Sequence, residues 1–286
     1  MNRKIAVITG GSSGLGLASA QCLAPETSLL LCARNPAGLE KAKAELETFG
    51  AEVFICPLDA SDPAAVRACA QYAQDLGEIV HVVHTAGVSP ANTPAQDILR
   101  INTLGPVNVV EAFHPLLADG GVMILFGSTA GYSFETNPQM APLIPAAKEC
   151  FGHWNEADFD KQLMGFLTGV MGVSEPYLSG SAYCLSKFFV KYFVYANVWR
   201  FAERICRILS VSPGSYLTRM HQALIDNQPE TAAGVMKGIP LQRWGHAYEM
   251  GKLVAFLCSK GAGYINGVDI LADGGCTFPS TVPQIS

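Results

Sequence analysis

The sequence predicts an α/β fold with a doubly wound parallel sheet. Three observations predict it: strands that are apolar throughout, helical segments between them, and a glycine cluster directly after the first strand. Strands that are apolar on both sides are typical of a parallel sheet covered by helices on both faces. No linker interrupts the alternation, so we expect a single domain over residues 1–286.

Strands and helices follow one another from the first residues. Seven apolar runs predict buried strands, at 5–9, 29–33, 53–56, 79–83, 122–126, 208–211 and 268–271. Helices are predicted between them, over 17–23, over 35–50, from residue 61 and from residue 95. The second helix has Asn35 as its cap and Pro36 at its first position. Ligands of such sheets bind at the carboxyl ends of the strands.

One long segment, from about 132 to 178, breaks this rhythm. It contains several prolines and no predicted strand. Four apolar residues within it fall on one helical face: Phe159, Leu163, Phe166 and Leu167. We expect a helical insertion on the ligand edge of the sheet, directly before the helix that carries Tyr183.

Composition excludes several classes of function. The net charge of -5 provides no basic field for nucleic acid. Nine cysteines without a C-x-x-C pair form neither a disulfide framework nor a zinc pattern, so no metal is expected. No apolar run is long enough for a membrane span, and the first apolar run is too short for a signal peptide. We therefore expect a cytoplasmic protein.

The glycine-rich turn after the first strand predicts a dinucleotide site. Glycines let backbone N–H groups approach a pyrophosphate, and the helix that follows adds partial positive charge. A plain turn is the alternative, but the position after the first strand of an alternating fold favours the phosphate site. The predicted contacts in this turn are Gly10, Ser12, Ser13, Gly14, Leu15 and Gly16.

Arg34, at the end of the second strand, favours NADP over NAD. Enzymes that select NAD place a carboxylate there for the ribose 2′-OH, whereas an arginine accommodates a 2′-phosphate. The alternative is a solvated surface arginine. Asp59 follows the third strand, where it could accept a hydrogen bond from the adenine amino group or cap the next turn.

Tyr183 and Lys187 stand four residues apart and share one face of a predicted helix. A neighbouring ammonium stabilises a phenolate and lowers the pKa of the tyrosine. Such a tyrosine can protonate a carbonyl oxygen or deprotonate an alcohol. The pair alone is common on amphipathic helices, so the rest of the chain has to support this interpretation.

The chain resembles the classical short-chain dehydrogenase/reductase family over nearly its whole length. The matching motifs are the Gly10-Gly14-Gly16 turn, Asp59, Ala86-Gly87, Asn102, Ser128, Tyr183 with Lys187, Pro213-Gly214 with Thr218, and Asp273-Gly274-Gly275. The resemblance implies a Rossmann fold. It also implies an oxidoreductase that moves a hydride between NADP(H), preferred over NAD(H) because of Arg34, and a ketone or secondary alcohol.

The resemblance implies roles for single residues. Tyr183 would be the general acid/base, and Lys187 would lower its pKa and bind the nicotinamide ribose. Ser128 would hydrogen-bond the substrate oxygen, and Asn102 would hold a water that links Lys187 to solvent. The further cofactor contacts would be Ala60, Ala86, Gly87, Pro213, Gly214, Ser215 and Thr218. By the same resemblance, residues from about 218 to 244 form a substrate lid, with Met220 and Leu224 among its apolar candidates.

Two features of the chain depart from the family pattern. His84-Thr85 replaces the usual Asn-Asn before Ala-Gly, and we interpret His84 as a core or edge residue. The insertion also separates Ser128 and Tyr183 further than usual, as in bacterial 3α-hydroxysteroid dehydrogenase/carbonyl reductases, where it helps to form the subunit contact. The stretch from Phe134 to Pro138 is similar to theirs.

That subgroup suggests a hydroxysteroid, such as a bile acid, as the substrate. A small ketone, a sugar or an acyl-carrier-linked ketone is the alternative, and a non-catalytic regulator that senses NADP is a third. The resemblance further implies a homodimer or homotetramer. Aromatic residues on the helix after Tyr183 would then serve the core and this interface.

Overall fold

The computed structural model of the chain describes residues 3–91, 93–218, 222, 225–226 and 229–278. Its main strands are β1 (Lys4–Thr9), β2 (Ser28–Ala33), β3 (Val53–Pro57), β4 (Glu78–His84), β5 (Leu117–Phe126), β6 (Arg207–Pro213) and β9 (Asp269–Ala272). They form one seven-stranded sheet, in the order β3-β2-β1-β4-β5-β6-β9, and every pair is parallel. The predicted fold class is confirmed, with strands one to five residues longer than their apolar runs at several ends.

Helices cover both faces of this sheet. They are α1 (Gly14–Leu23), α2 (Pro36–Glu47), α3 (Pro63–Leu76), α4 (Ala95–Leu99), α5 (Gly105–Phe113), α6 (Ser133–Thr136), α7 (Ile144–Phe151), α8 (Phe159–Gly165), α9 (Leu178–Ala202), α10 (Pro229–Lys237) and α11 (Ala247–Cys258). One apolar layer lies under α3, α5 and α9, and the other lies under α1, α2 and α11. The sheet is therefore buried on both sides, which explains its uninterrupted apolar strands.

The order of the strands reverses beside β1. Strands β2 and β3 follow on one side of β1, and β4, β5 and β6 follow on the other. A doubly wound sheet has its ligand crevice where the order reverses, outside the carboxyl ends of the strands. The glycine turn therefore opens from β1 directly into this crevice.

Local sequence explains where several helices begin. Asp62 caps α3, because its Oδ1 accepts hydrogen bonds from Ala64 N at 2.8 Å and Ala65 N at 3.2 Å. Asn35 occupies the cap position of α2 with extended backbone, but its side chain makes no capping bond there. Pro36 at the first position thus starts α2 without the help of its neighbour's side chain.

The predicted insertion is helical. It contains α6, α7, α8 and a π-helical turn over Phe166–Val170. It packs on α9 and α4, with Phe134 stacked on Phe188 at 4.7 Å between ring centroids and Gln96 bonded to Asp160 at 2.7 Å. Its four predicted core residues, Phe159, Leu163, Phe166 and Leu167, are all buried. These apolar side chains therefore pack in the layer formed with α4 and α9.

The aromatic residues of α9 divide between core and surface. Phe188, Phe189 and Phe193 are buried under the insertion. Tyr195 is 49% exposed and Trp199 is 83% exposed. The core half of the earlier interpretation is confirmed, and the two exposed rings remain available for an interface.

The segment predicted as a substrate lid, about 218 to 244, lies between the two strands of a parallel ribbon, and its described residues include one helix. The ribbon pairs β7 (Tyr216–Leu217) with β8 (Gly245–His246), and α10 lies between them in the chain. Met220 and Leu224, two of the apolar lid candidates, lie outside the described residues. Throughout the described ranges, no helix combines the length and the apolar character that crossing a membrane requires.

Candidate active site

A cavity of about 670 Å³ runs along the carboxyl edge of the sheet. It is lined by most of the residues predicted for the site: Gly10, Ser12, Ser13, Gly14, Leu15, Gly16, Arg34, Asp59, Ala60, Ala86, Gly87, Ser128, Tyr183, Lys187, Pro213, Gly214 and Thr218. Asn102 and Ser215 are not among the lining residues. The structure thus brings the predicted catalytic and cofactor residues to one continuous crevice.

Two separate features of the turn require glycine: the backbone conformation and the lack of space for a Cβ. Gly10 and Gly14 have φ of +71° and +56°, a region that residues with a Cβ rarely adopt. A Cβ on Gly16 would collide with the Gly10 carbonyl oxygen and the Thr85 hydroxyl. The turn is tied to the neighbouring strand by Gly10 N, which donates to Cys32 O at 2.7 Å. A rigid and open backbone is therefore presented to the crevice at the start of α1.

Asp59 and Arg34 face each other at one end of the cavity. Asp59 Oδ1 accepts hydrogen bonds from Ser61 N at 2.9 Å and Ser61 Oγ at 2.8 Å. Burial raises the pKa of Asp59, but the Ser61 bonds and the charges of Arg34 and Arg100 outweigh it and leave the pKa lowered. Asp59 thus caps its own turn and also lines the cavity, so the two interpretations of Asp59 from the sequence are compatible.

Tyr183 and Ser128 meet at the other end of the cavity. The side chain of Ser128 lies close to the Tyr183 phenol and lowers its pKa. Ser128 directly follows β5, and its Oγ also accepts a bond from Ala130 N at 3.2 Å, which fixes its direction. Helix α9 presents Tyr183 and, one turn later, Lys187 to the same cavity.

The prediction that Lys187 lowers the pKa of Tyr183 is wrong for this structure. Burial raises the pKa of Tyr183, the bond from Ser128 opposes this, and Cys184 adds to it, so the net direction is upward. The reason is the position of the ammonium: Lys187 Nζ donates to Phe126 O at 3.0 Å and lies 5.8 Å from the centroid of the Tyr183 ring. Burial also lowers the pKa of Lys187 to about 8.

Asn102 lies behind the cavity, in a π-helical turn over Arg100–Leu104 that joins α4 and α5. Its Oδ1 accepts from Val88 N at 2.9 Å, and its Nδ2 donates to Val88 O at 3.0 Å and to Ser186 Oγ at 3.3 Å. A Cβ on Gly87 would lie 3.1 Å from Asn102 Oδ1. The side chain therefore clamps the loop after β4 to α9, and single π turns of this kind are frequent at functional sites.

His84 is a core residue, as interpreted from the sequence. It is 3% exposed, and its Nδ1 shares a hydrogen bond with Thr9 Oγ1 at 2.8 Å. Burial and the nearby charge of Lys187 lower the pKa of His84 to about 3, so the ring is neutral at physiological pH. It braces β1 against β4 without facing the cavity.

Several residues that line the cavity escaped the sequence analysis. They are Thr9, Cys32, Ala33, Asn35, Leu58, Thr85, Val88, Ser89, Ile101, Phe126, Gly127 and Tyr216. Most directly follow or end a strand of the sheet, and that position is a signal that would have found them. Ile101 and Tyr216 carry no such signal, because their approach depends on the π turn and on the short ribbon.

A second network, also missed, holds the turn that follows Ser128. Tyr132 OH donates to Asp269 Oδ2 at 2.6 Å, and Lys191 Nζ donates to Glu135 Oε2 at 2.7 Å. The Lys191 ammonium also lies 3.3 Å from the centroid of the Tyr132 ring. These contacts join β9, the start of the insertion and α9, and they anchor both ends of the segment between Ser128 and Glu135.

No group of His, Cys, Asp or Glu side chains in the described part of the chain is arranged to hold a metal ion. The crevice instead combines a glycine turn at a helix start with a buried tyrosine, serine and lysine. This combination defines a class, the dinucleotide-dependent oxidoreductases of the doubly wound fold.

The chain belongs to the short-chain dehydrogenase/reductase family. A family model described as short chain dehydrogenase matches residues 4–148, and one described as enoyl-(acyl carrier protein) reductase matches residues 166–277. Members of this family bind NAD or NADP, so the chain is an oxidoreductase that uses a nicotinamide dinucleotide.

Its relatives are similar over almost their whole length. The chain is 29% identical over 270 residues to the short-chain dehydrogenase/reductase bsc3 of Alternaria brassicicola, which is 93% of either chain. It is 27% identical over 275 residues to the 3-oxoacyl-(acyl-carrier-protein) reductase FabG of Pseudomonas aeruginosa, covering 95% of this chain and 96% of that protein.

Solved structures share the fold. The RhlG/NADP active-site complex of Pseudomonas aeruginosa superposes with a TM-score of 0.73 at 23% identity, over 96% of both chains. A short chain dehydrogenase from Burkholderia cenocepacia in complex with NADP superposes with a TM-score of 0.72 at 22% identity, over 96% of this chain and 97% of that one.

Proposed function

We propose that this chain interconverts a secondary alcohol and a ketone with NADP(H), using Tyr183 as the proton donor and acceptor. The observation that carries the proposal is that Ser128, Tyr183 and Lys187 line the same cavity as the glycine turn. When it is bound, the nicotinamide ring supplies or accepts the hydride. Everything else in the reaction is positioning and proton transfer by side chains of the chain itself.

In the proposed reduction, Ser128 and Tyr183 both donate hydrogen bonds to the substrate carbonyl oxygen. Negative charge that develops on this oxygen is stabilised by the two donors, and Tyr183 passes its proton to it. Lys187 stands one turn away, next to Gly87, and would contact the ribose beside the nicotinamide. Asn102 keeps Gly87 and Val88 in place, so we assign it a positioning role through this loop.

The residues around the crevice fit a dinucleotide. Glycine is required at Gly10, Gly14 and Gly16, which keeps the turn open for a pyrophosphate at the start of α1. Ala86 and Gly87 would pass beside the adenosine ribose, and Pro213, Gly214 and Thr218 would frame the nicotinamide.

Arg34 supports the preference for NADP(H) over NAD(H). It lines the same end of the cavity as Asp59, where a 2′-phosphate would lie. Arg34→Asp is expected to lower the ratio of kcat/KM with NADPH to kcat/KM with NADH by at least about tenfold. Arg67→Asp, an exposed change of the same type on α3, is the control and should leave the ratio unchanged. An unchanged ratio in Arg34→Asp would remove the charge argument.

For the substrate, we propose a bulky apolar ketone or alcohol, with a hydroxysteroid as the leading candidate. Val88, Ile101 and Tyr216 give the cavity apolar surface near its reactive end. The likeness to FabG supports one alternative, an acyl-carrier-linked ketone. The test is a panel of steroid ketones, small ketones, sugars and a 3-oxoacyl thioester, with loss of NADPH absorbance as the readout. No turnover of any steroid, with turnover of the thioester, would replace the leading candidate.

We also propose that the chain acts in the cytosol as a homodimer or homotetramer. All nine cysteines are free, which suits a reducing compartment. Trp199 and Tyr195 offer exposed aromatic surface on α9. Light scattering of the purified protein is the test of the oligomer, and a mass of 30.4 kDa would exclude it.

A further inference from the structure

Three cysteines meet behind the glycine turn: Cys32 on β2, Cys56 on β3 and Cys69 on α3. Cys32 and Cys56 are register partners in neighbouring parallel strands, so their side chains lie on the same face of the sheet. Cys69 reaches this face from the helix above, and its Sγ lies 3.5 Å from Cys32 Sγ. Cys56 lies close enough to both other thiols for them to lower its pKa. We call these three residues the thiol trio.

The thiol trio is directly connected to the dinucleotide crevice. Cys32 lines the cavity. Its carbonyl oxygen accepts hydrogen bonds from Gly10 N at 2.7 Å and Gly11 N at 3.3 Å, which are the first two amides of the glycine turn. A shift of Cys32 therefore moves the backbone that is expected to hold the pyrophosphate.

The three thiols differ in access and in proton affinity. Cys32 and Cys69 are 0% and 1% exposed, whereas Cys56 is only partly buried. Hydrogen bonds from Cys32 and Cys69 lower the pKa of Cys56, while the same contacts and burial raise the pKa of Cys32. The accessible thiol is thus the one that most readily becomes a thiolate, the form that reacts with peroxides.

We propose that the thiol trio is a peroxide-sensitive modification site, at which a disulfide between Cys56 and one of its two neighbours weakens dinucleotide binding. The assignment of a disulfide goes beyond the proposed function, and the effect on binding rests on the proposed dinucleotide site.

The chemistry needs only a hydroperoxide as oxidant. The Cys56 thiolate attacks one peroxide oxygen of hydrogen peroxide, the O–O bond breaks, and the hydroxide that leaves takes up a proton to become water. The sulfenic acid is then attacked by the sulfur of Cys69 or Cys32, the S–S bond forms, the S–OH bond breaks, and a second water leaves with the thiol proton. Two thiols and one peroxide thus yield one disulfide and two waters.

Closing this disulfide has to move the turn. A disulfide sulfur pair is separated by about 2.05 Å, far less than the distance between the free thiols. Strand β3 has to shift against α3 if Cys69 is the partner, or against β2 if Cys32 is. Because Cys32 and Cys56 are register partners, either shift acts on Cys32 and on the hydrogen bonds that it accepts from Gly10 and Gly11. We expect the Kd for NADPH to rise by about tenfold, the effect of losing one to two net hydrogen bonds.

The test uses the reduced full-length protein, treated with hydrogen peroxide and then alkylated. Peptide mass mapping should find Cys56 linked to Cys69 or Cys32, and fluorescence titration should show the weaker NADPH binding, reversed by dithiothreitol. Cys56→Ser should lose both effects while it binds NADPH normally before oxidation. Cys150→Ser, at a partly buried thiol in the insertion, should respond to peroxide like the parent protein.

Each result that differs from these expectations overturns a different part of the proposal. A Cys56 that stays reduced, or a disulfide that lacks Cys56, overturns the modification site. A trio disulfide with unchanged NADPH affinity overturns its connection to the crevice. If Cys56→Ser does not fold, Cys56→Ala provides the same comparison. A reduced protein that binds neither NADPH nor NADH contradicts the proposed function, and the mass mapping still decides the modification site.

Discussion

Burial and hydrogen bonding act in opposite directions on the phenol of Tyr183. Burial wins, so the pKa of Tyr183 is raised and the side chain stays protonated at neutral pH. A protonated phenol beside Ser128 can donate a hydrogen bond and then a proton to a carbonyl oxygen, as the reduction of a ketone requires. At the scale of this one residue, the structure keeps the phenol in the form that can donate a proton.

Tyr183→Phe removes the proton donor and keeps the ring. We expect kcat to fall by at least about 10²-fold, because general acid catalysis contributes on this order. NADPH binding, measured by fluorescence titration, should change little, since the hydroxyl is expected to face the substrate. Turnover close to that of the parent protein would contradict the proposed role of Tyr183.

The buried charge of Lys187 lowers the free energy of unfolding at neutral pH. Its pKa is about 8 in the folded state, against an ordinary value of 10.5. Between these two values the unfolded chain binds more protons than the folded one, so the free energy of unfolding rises with pH through this window. Below pH 8 the buried ammonium is destabilising throughout.

Lys187→Met should therefore stabilise the protein while it abolishes turnover. At pH 7 we expect the free energy of unfolding to rise by about 1–3 kcal/mol, and the gain should disappear as the pH approaches 10.5. Urea denaturation at several pH values measures it. Lys191→Met is the matched control one turn later: it breaks the ion pair with Glu135 and should lower stability. A loss of stability in Lys187→Met at pH 7 would refute this account.

At the scale of elements, apolar patterning predicted the sheet well and left side-chain geometry open. Each of the seven strands coincides with an apolar run, because a strand buried on both faces consists mainly of apolar residues. The pKa direction of Tyr183 could not be predicted from the Tyr183–Lys187 spacing. It depends mainly on the burial of the phenol, while the Lys187 ammonium that would oppose it donates to Phe126 O, 61 positions away on another element.

The insertion shows the same limit. The helical face from Phe159 to Leu167 was evident from its spacing, but the surface it would cover was not. That surface is chosen by shape and by polar contacts such as Gln96 with Asp160, which no local pattern encodes. The clamp that Asn102 makes on Val88 was hidden for a similar reason, since it requires the π turn.

The contribution of the packing between the insertion and α9 to stability can be tested at Phe189. Its ring is fully buried and lies 5.1 Å from Phe159 and 5.3 Å from Phe151. Phe189→Ala is expected to lower the free energy of unfolding by about 3–5 kcal/mol, because it leaves a cavity among rigid rings. Trp199→Ala on the exposed side of the same helix should change it by less than about 0.5 kcal/mol if the chain is monomeric during the measurement. Equal effects from the two variants would contradict the packing described.

For the whole molecule, ligand binding and stability are linked, because residues at the carboxyl ends of six strands of the sheet line the crevice. A ligand that binds only the folded state at 100 times its Kd adds about 2.7 kcal/mol to the free energy of unfolding. We expect NADP⁺ to raise Tm and NAD⁺ at the same concentration to raise it less. Gly16→Val, which fills the turn, should remove both shifts. An equal response to the two dinucleotides would argue against NADP selectivity.

The close packing of α1 on α11 has a consequence for synthesis. Gly251 lies against the Ala18 carbonyl with no room for a Cβ, so the N-terminal helix is covered by a segment made more than 200 residues later. As the polypeptide leaves the ribosome, its first strands can pair while one side of α1 still faces water. Until translation passes Gly251, this uncovered side of α1 is a surface that a nascent-chain chaperone can bind.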